Sequence, residues 1–144
     1  MKKLLLVVAL SLLAGCQQSP FSRWNDSFGP TFPQANSGQA ALYLVRDTAP
    51  PDAPPINVMM GRQMLGGLTG TSYMRLDLDP RLYDLRAFGT RANSELIITV
   101  APGQTRFLLV RTAGTDNAEL VELSPEQGRR LVRPAEQLYV PPLD

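Results

Sequence analysis

The chain contains a single cysteine, Cys16, and its position makes it the strongest candidate for covalent chemistry. It ends an apolar run from Leu4 to Leu13, after two small residues, and Lys2 and Lys3 precede that run. This order of positive, apolar and small residues is the layout of a secretory signal. Ten apolar-rich residues are too few to span a bilayer, which takes about 20. A thiol at a cleavage site can take a lipid group as a thioether.

The four residues Leu13-Ala14-Gly15-Cys16 resemble the lipobox of bacterial lipoproteins. The resemblance implies that signal peptidase recognises Leu13, Ala14 and Gly15, that residues 1–15 are removed, and that Cys16 becomes the acylated first residue. Each buried CH₂ contributes about 0.8 kcal/mol, so several acyl chains make the anchor effectively permanent. The alternative is an ordinary export signal that leaves Cys16 as a free thiol.

The residue after the cysteine bears on the destination. Lipoproteins retained in the inner membrane commonly have Asp at this position, whereas this chain has Gln17. The resemblance therefore implies an outer-membrane protein that is lipid-anchored on the periplasmic side.

The composition of residues 16–144 argues against several function classes. These 129 residues contain 12 Arg, no Lys and 13 acidic residues, so their net charge is −1. A nucleic-acid partner therefore has no electrostatic support. The chain also lacks His, which is the commonest general base and metal ligand. We therefore predict no enzymatic activity, no catalytic residues and no cofactor.

Asp77 and Asp79 are the best carboxylate pair, but Arg75 and Arg81 flank them, which favours surface ion pairing over catalysis. A Ca²⁺ site would need further oxygen ligands, which Asp84, or Asp116 with Asn117, would supply only if the loops converged. Ser72 and Ser124 lack a base. Our prediction is therefore that the chain has no metal site.

Residues 16–38 read as a lipid-anchored tether, because proline and glycine recur along it. Plain linkers are poor in aromatic residues. This one contains four, which we expect to contact the domain itself, the lipid interface or a partner: Phe21, Trp24, Phe28 and Phe32.

Residues 39–144 are expected to form one domain of short strands. Ala40 to Arg46 reads as a buried first strand, and Tyr73 to Leu78 and Leu82 to Phe88 alternate between apolar and polar residues. We expect one hairpin at Gly61-Arg62 and a stronger one at Ala101-Pro102-Gly103-Gln104. The expected core residues are Leu76, Leu85, Leu96, Ile98, Val100, Phe107 and Leu109.

A short helix near residues 125–132 should follow the last strand, Glu119 to Leu123. Ser124 and Gln127 form a capping-box pattern around Pro125. Prolines then predict an irregular tail, and three arginines near the helix end complement the helix dipole better than they indicate an anion site: Arg129, Arg130 and Arg133.

Seven to eight short strands and one late helix predict an antiparallel β-sandwich. Five motifs within residues 39–132 resemble a family of small bacterial lipoproteins grouped as a domain of unknown function: Ala41 to Arg46, the Gly61 hairpin leading to Leu65 to Leu68, Ser72-Tyr73, the Pro102-Gly103-Gln104 turn before Phe107 to Val110, and Leu123 to Gly128. The resemblance implies a transthyretin-like or carboxypeptidase-regulatory-like sandwich and carries over no catalytic residues.

The expected function is therefore a non-enzymatic interaction or envelope-structural module, attached to the membrane and in contact with an envelope protein partner. Two alternatives remain open, an accessory lipoprotein of a multiprotein secretion or envelope machine and a small-ligand carrier. A ligand-sized apolar pocket would favour the carrier.

Overall fold

The computed structural model describes residues 32–114 and 116–143. These residues are mostly β, with nine strands in two sheets and a single short helix, which confirms the predicted sandwich. The elements are β1 Ala40–Arg46, β2 Ile56–Met60, β3 Gln63–Leu68, β4 Ser72–Leu78, β5 Leu82–Phe88, β6 Ser94–Thr99, β7 Thr105–Ala113, β8 Asn117–Leu123, α1 Pro125–Val132 and β9 Glu136–Gln137.

The five-stranded sheet has the order β8-β7-β1-β4-β9, and the four-stranded sheet has the order β3-β2-β5-β6. Most neighbours are antiparallel, but β1 pairs with β7 in parallel, as does β4 with β9. Strand β1 is therefore central in its sheet and is bonded along both edges.

The main core lies between the sheets and follows the predicted alternation. Tyr83, Leu85 and Ala87 of β5 point into it from one sheet, while Leu76 and Leu78 of β4 do so from the other. Among the expected core residues, this cluster contains Leu76, Leu85, Ile98 and Val100, with Leu96 partly buried against it.

Strand β7 corrects the core prediction. Leu108 and Val110 face the main core, whereas Phe107 belongs to a second cluster on the outer face of the five-stranded sheet. Leu109 is buried but lies in neither cluster. Since this stretch is apolar on both faces, a period of two could not decide which face looks inward.

The turn at residues 101–104 forms as predicted, but the hairpin predicted around it does not form. Gln104 N donates to Ala101 O at 3.1 Å, and Gly103 has a positive φ of 71°, as a type II turn requires. Strand β6 belongs to the four-stranded sheet and β7 to the five-stranded sheet, so the turn connects two sheets. Gly103 N bonds to Gln39 O at 2.8 Å instead, which guides β7 alongside β1. The hairpin of β2 and β3 around Gly61 is confirmed.

The helix begins as predicted, because Ser124 and Gln127 form both bonds of the capping box around Pro125. The preceding strand, β8, begins at Asn117, two residues earlier than expected, and is not the last strand.

The prediction of an irregular tail is wrong in part. Residues 136–137 form β9, and Leu138 N donates to Tyr73 O at 2.8 Å. Leu138, Val140 and Leu143 pack against the main core, and Pro142 O accepts a bond of 2.6 Å from the Gln63 side chain. The tail therefore covers apolar side chains near β4 and β3 despite its prolines.

Candidate functional site

The predicted site residues fall into two groups. Phe32 lies within the described residues, whereas the others lie outside them: Leu13, Ala14, Gly15, Cys16, Phe21, Trp24 and Phe28. What the structure describes of the tether is therefore its last part, residues 32–38.

Phe32 packs on the outer face of the five-stranded sheet. Its ring centroid lies 5.7 Å from that of Tyr43 and 6.0 Å from that of Phe107, with interplanar angles of 61° and 70°. These are edge-to-face arrangements, which aromatic pairs favour. Of the three destinations expected for the tether aromatics, Phe32 takes the docked one.

The register of β1 and β7 creates the surface that receives this ring. Tyr43 lies directly beside Phe107 in the parallel pair, so both side chains project from the same face. Their rings stack with centroids 5.0 Å apart and an interplanar angle of 18°. We call Tyr43, Tyr73, Phe107 and Val132 the docking surface, since all four are buried in one cluster with Phe32 against it.

Helix α1 completes the docking surface from one side. Gly128 faces the Phe107 ring so closely that a Cβ at this position would overlap the ring carbons. Val132, one turn later, has no exposed surface. Glycine is therefore required here for close packing, and the helix and residues 32–39 share one apolar face of the sheet.

Polar groups in β4 and just after it bind residues 33–39 beyond the rings. Arg75 forms an ion pair with Asp77 at 2.9 Å, and Asp77 also accepts a bond of 3.2 Å from the Asn36 amide. The side chain of Gln39 donates to Asp79 at 3.0 Å. Asp77 thus contacts the tether and Asp79 contacts Gln39, the first residue of the domain, which gives both carboxylates a structural role.

Arg75 lies at the junction of the apolar and polar parts. Its Nη2 lies 3.5 Å from Pro33 O and 3.4 Å from Gln34 O, at the long end of hydrogen bonding. Its guanidinium carbon is 5.9 Å from the centre of the Tyr43 ring. Burial raises the pKa of Tyr43, although the Arg75 charge opposes this effect. Tyr43 therefore stays neutral across the physiological pH range.

The other candidate residues serve local structure. Ser72 donates to Thr69 O at 2.7 Å, Ser124 caps the helix, and Asp84 pairs with Arg86 at 3.0 Å. Within residues 32–114 and 116–143, no three His, Cys, Asp or Glu side chains come together in a way that could hold a metal ion.

Comparison with protein-family models and with curated proteins finds no match for this chain. The family resemblance of residues 39–132 therefore stays a prediction. The part of the chain that the structure describes also contains no helix long and apolar enough to cross a bilayer.

The sequence analysis did not predict that α1 and the end of the tether cover the outer face of the five-stranded sheet. A signal for this cover was present in β1, whose seven residues Ala40–Arg46 are all buried and, apart from Arg46, are apolar on both faces. A strand that is apolar on both faces requires cover on both faces. Here the second cover is α1 together with residues 32–39.

Proposed function

We propose that the protein is a lipoprotein held by acylated Cys16 at the periplasmic side of the outer membrane, where its sandwich acts as a non-enzymatic interaction or structural module. The observation that carries this proposal is Leu13-Ala14-Gly15-Cys16 at the end of an apolar run preceded by two lysines. Such a run is too short to serve as a bilayer span. A lipid on Cys16 would supply the attachment instead.

The docking of Phe32 sets how much chain such an anchor leaves between the lipid and the folded domain. Fifteen residues separate Cys16 from Phe32. An extended chain of that length reaches at most about 55 Å. Because residues 32–39 are docked, the chain between the lipid and the sandwich is shorter than it would be if the tether extended to the first strand.

The experiment that tests the anchor is metabolic labelling of cells with a fatty acid. The unaltered chain should incorporate the label, and Cys16→Ser should incorporate none and remain unprocessed, since it lacks the thiol that forms the thioether. Ser19→Ala, which leaves the lipobox intact, is the matched control and should label normally. Label on the Cys16→Ser protein would refute the anchor.

A second variant tests the membrane. Gln17→Asp introduces the residue that retains lipoproteins in the inner membrane, so this protein should move from the outer-membrane to the inner-membrane fraction while still incorporating label. Gln17→Asn keeps the residue neutral and should stay with the outer membrane. Unaltered protein in the inner-membrane fraction would contradict the proposed location and leave the acylation result standing.

A further inference from the structure

A second feature lies where β1 ends, on a part of the domain that the docking surface does not use. A cavity of about 650 Å³ opens there between the loop of residues 47–50, the start of β2, residues 88–90 and the far end of β7. This volume lies within the range of small-molecule sites. About half of the residues that line it are apolar, among them Ile56, Phe88 and Leu109, and the others include the charged residues Arg46, Asp47, Arg111 and Asp116.

Arg46, the last residue of β1, lines this cavity and is only 4% exposed. Its Nη1 donates to Pro54 O and to Leu68 O, both at 2.8 Å. Among the described residues, no carboxylate oxygen lies within 4.0 Å of its guanidinium nitrogens, and burial lowers the pKa of this group. A buried charge is normally paired.

The two carbonyls use one nitrogen of the fork. The other donors, Nε–H and Nη2–H, have no acceptor among the described residues. This edge of a guanidinium matches the two oxygens of a carboxylate. Arg46 thus presents the geometry of an oxyanion site on a side chain that is mostly buried.

The remaining charges of the lining favour a single negative charge on the ligand. Arg111 pairs with Glu119 at 2.7 Å and is therefore already neutralised. Asp47 and Asp116 also line the cavity, and both are exposed. They would repel a phosphate dianion more than a monoanion. The apolar walls suit the organic part of such a ligand.

We propose that this cavity binds a small organic monocarboxylate, with the carboxylate against Nε and Nη2 of Arg46 and the organic part against the apolar residues of the lining on the same side of the sheet, such as Ile56. The site belongs to the sandwich, so its binding does not depend on acylation of Cys16. It assigns the domain a ligand class in addition to the proposed attachment to the membrane.

The test uses nuclear magnetic resonance of the full-length chain in detergent micelles, observing the Nε–H signal of Arg46. Sodium benzoate is the probe, benzamide is its neutral counterpart, and sodium chloride at equal ionic strength controls for screening. Benzoate should shift the signal and saturate, whereas benzamide and chloride should leave it in place. No shift with benzoate, or equal shifts with the three solutes, would overturn the proposal.

Two variants sharpen the result. Arg46→Lys keeps the charge and loses the fork, so benzoate should bind at least about tenfold more weakly. Arg111→Lys changes an exposed, paired arginine of the same cavity and should alter binding by less than about twofold. If Arg46→Lys does not fold, the titrations of the unaltered chain decide. Tighter binding of sodium phosphate than of benzoate would overturn the monocarboxylate class.

Discussion

The two sheets of the sandwich differ in how many of their faces are covered. All seven residues of β1, at the centre of the five-stranded sheet, are buried, and its two faces contribute to two separate apolar clusters. Strand β5, which is central in the four-stranded sheet, alternates between buried and more exposed residues. One sheet is thus packed on both sides and the other on one side.

The outer face of the four-stranded sheet is polar where the docking surface is aromatic. Arg86 pairs with Asp84 at 3.0 Å and with Glu95 at 3.2 Å, and all three side chains are partly exposed to solvent. Leu82 and Ile97 are 60% and 64% exposed on the same sheet. A strand that is apolar at every position therefore indicates that another part of the chain packs on its second face, whereas strict alternation indicates that the second face is open to water.

The largest expected difference between the two faces is in the cost of removing a side chain. Phe107→Ala deletes a ring that is 1% exposed between Phe32, Tyr43 and α1, so it should lower the free energy of unfolding by about 3 to 5 kcal/mol. Ile97→Ala on the other sheet should change it by no more than about 0.5 kcal/mol. Urea denaturation of the full-length chain measures both.

Similar losses of unfolding free energy for the two variants would contradict this difference between the sheets, because they would mean that the two outer faces are equally buried. A loss for Ile97→Ala alone would show that the cover has been assigned to the wrong sheet.

A smaller effect tests how closely the helix approaches the docking surface. Gly128→Ala raises helix propensity by about 1 kcal/mol at an ordinary helix position. Here the added Cβ would overlap the Phe107 ring, so the variant should instead be less stable by about 1 to 3 kcal/mol. Glu126→Ala, at an exposed position of the same helix, is the control and should cost less than about 1 kcal/mol, the loss of a favourable charge near the helix N-terminus. A Gly128→Ala protein that melts higher than the unaltered chain would place the helix farther from the sheet.

Local chemistry in the sequence was sufficient for much of the fold. Ser124 and Gln127 cap the helix as predicted, and the alternation of β4 and β5 assigns their inward faces correctly. These features depend on neighbours within a few residues, which is why a single sequence shows them.

The errors arose where a distant partner decides the outcome. The turn at Ala101–Gln104 forms, but whether its flanking strands pair depends on β1, which takes β7 as its own neighbour. Phe107 and Leu108 are both apolar, so the register of β7 against β1 decides which one faces outward, and that register is set by distant residues. The tail pairs with β4 because the edge of the five-stranded sheet is free there, and no local sequence pattern predicts this pairing.

The candidate site was predictable to a similar extent. The aromatic content of the tether indicated that Phe32 needs an apolar contact, and docking on the sandwich was favoured, but the lipid interface and a partner remained open. Arg46 gave no signal, since an arginine at the end of an apolar strand usually reaches solvent. Its burial follows from the carbonyls of Pro54 and Leu68, which come from two other segments.

The most direct test of the docked tether is a double-mutant cycle between Phe32 and Phe107 in the full-length chain. Denaturation of Phe32→Ala, Phe107→Ala and the double variant gives the coupling free energy of the two rings. Since the rings meet edge to face with centroids 6.0 Å apart, the coupling should be about 0.5 to 1.5 kcal/mol in favour of the native state. A parallel cycle between Phe32 and Ile97 should give none. A coupling of zero between Phe32 and Phe107 would contradict the account, because it would show that the end of the tether does not rest on the sheet.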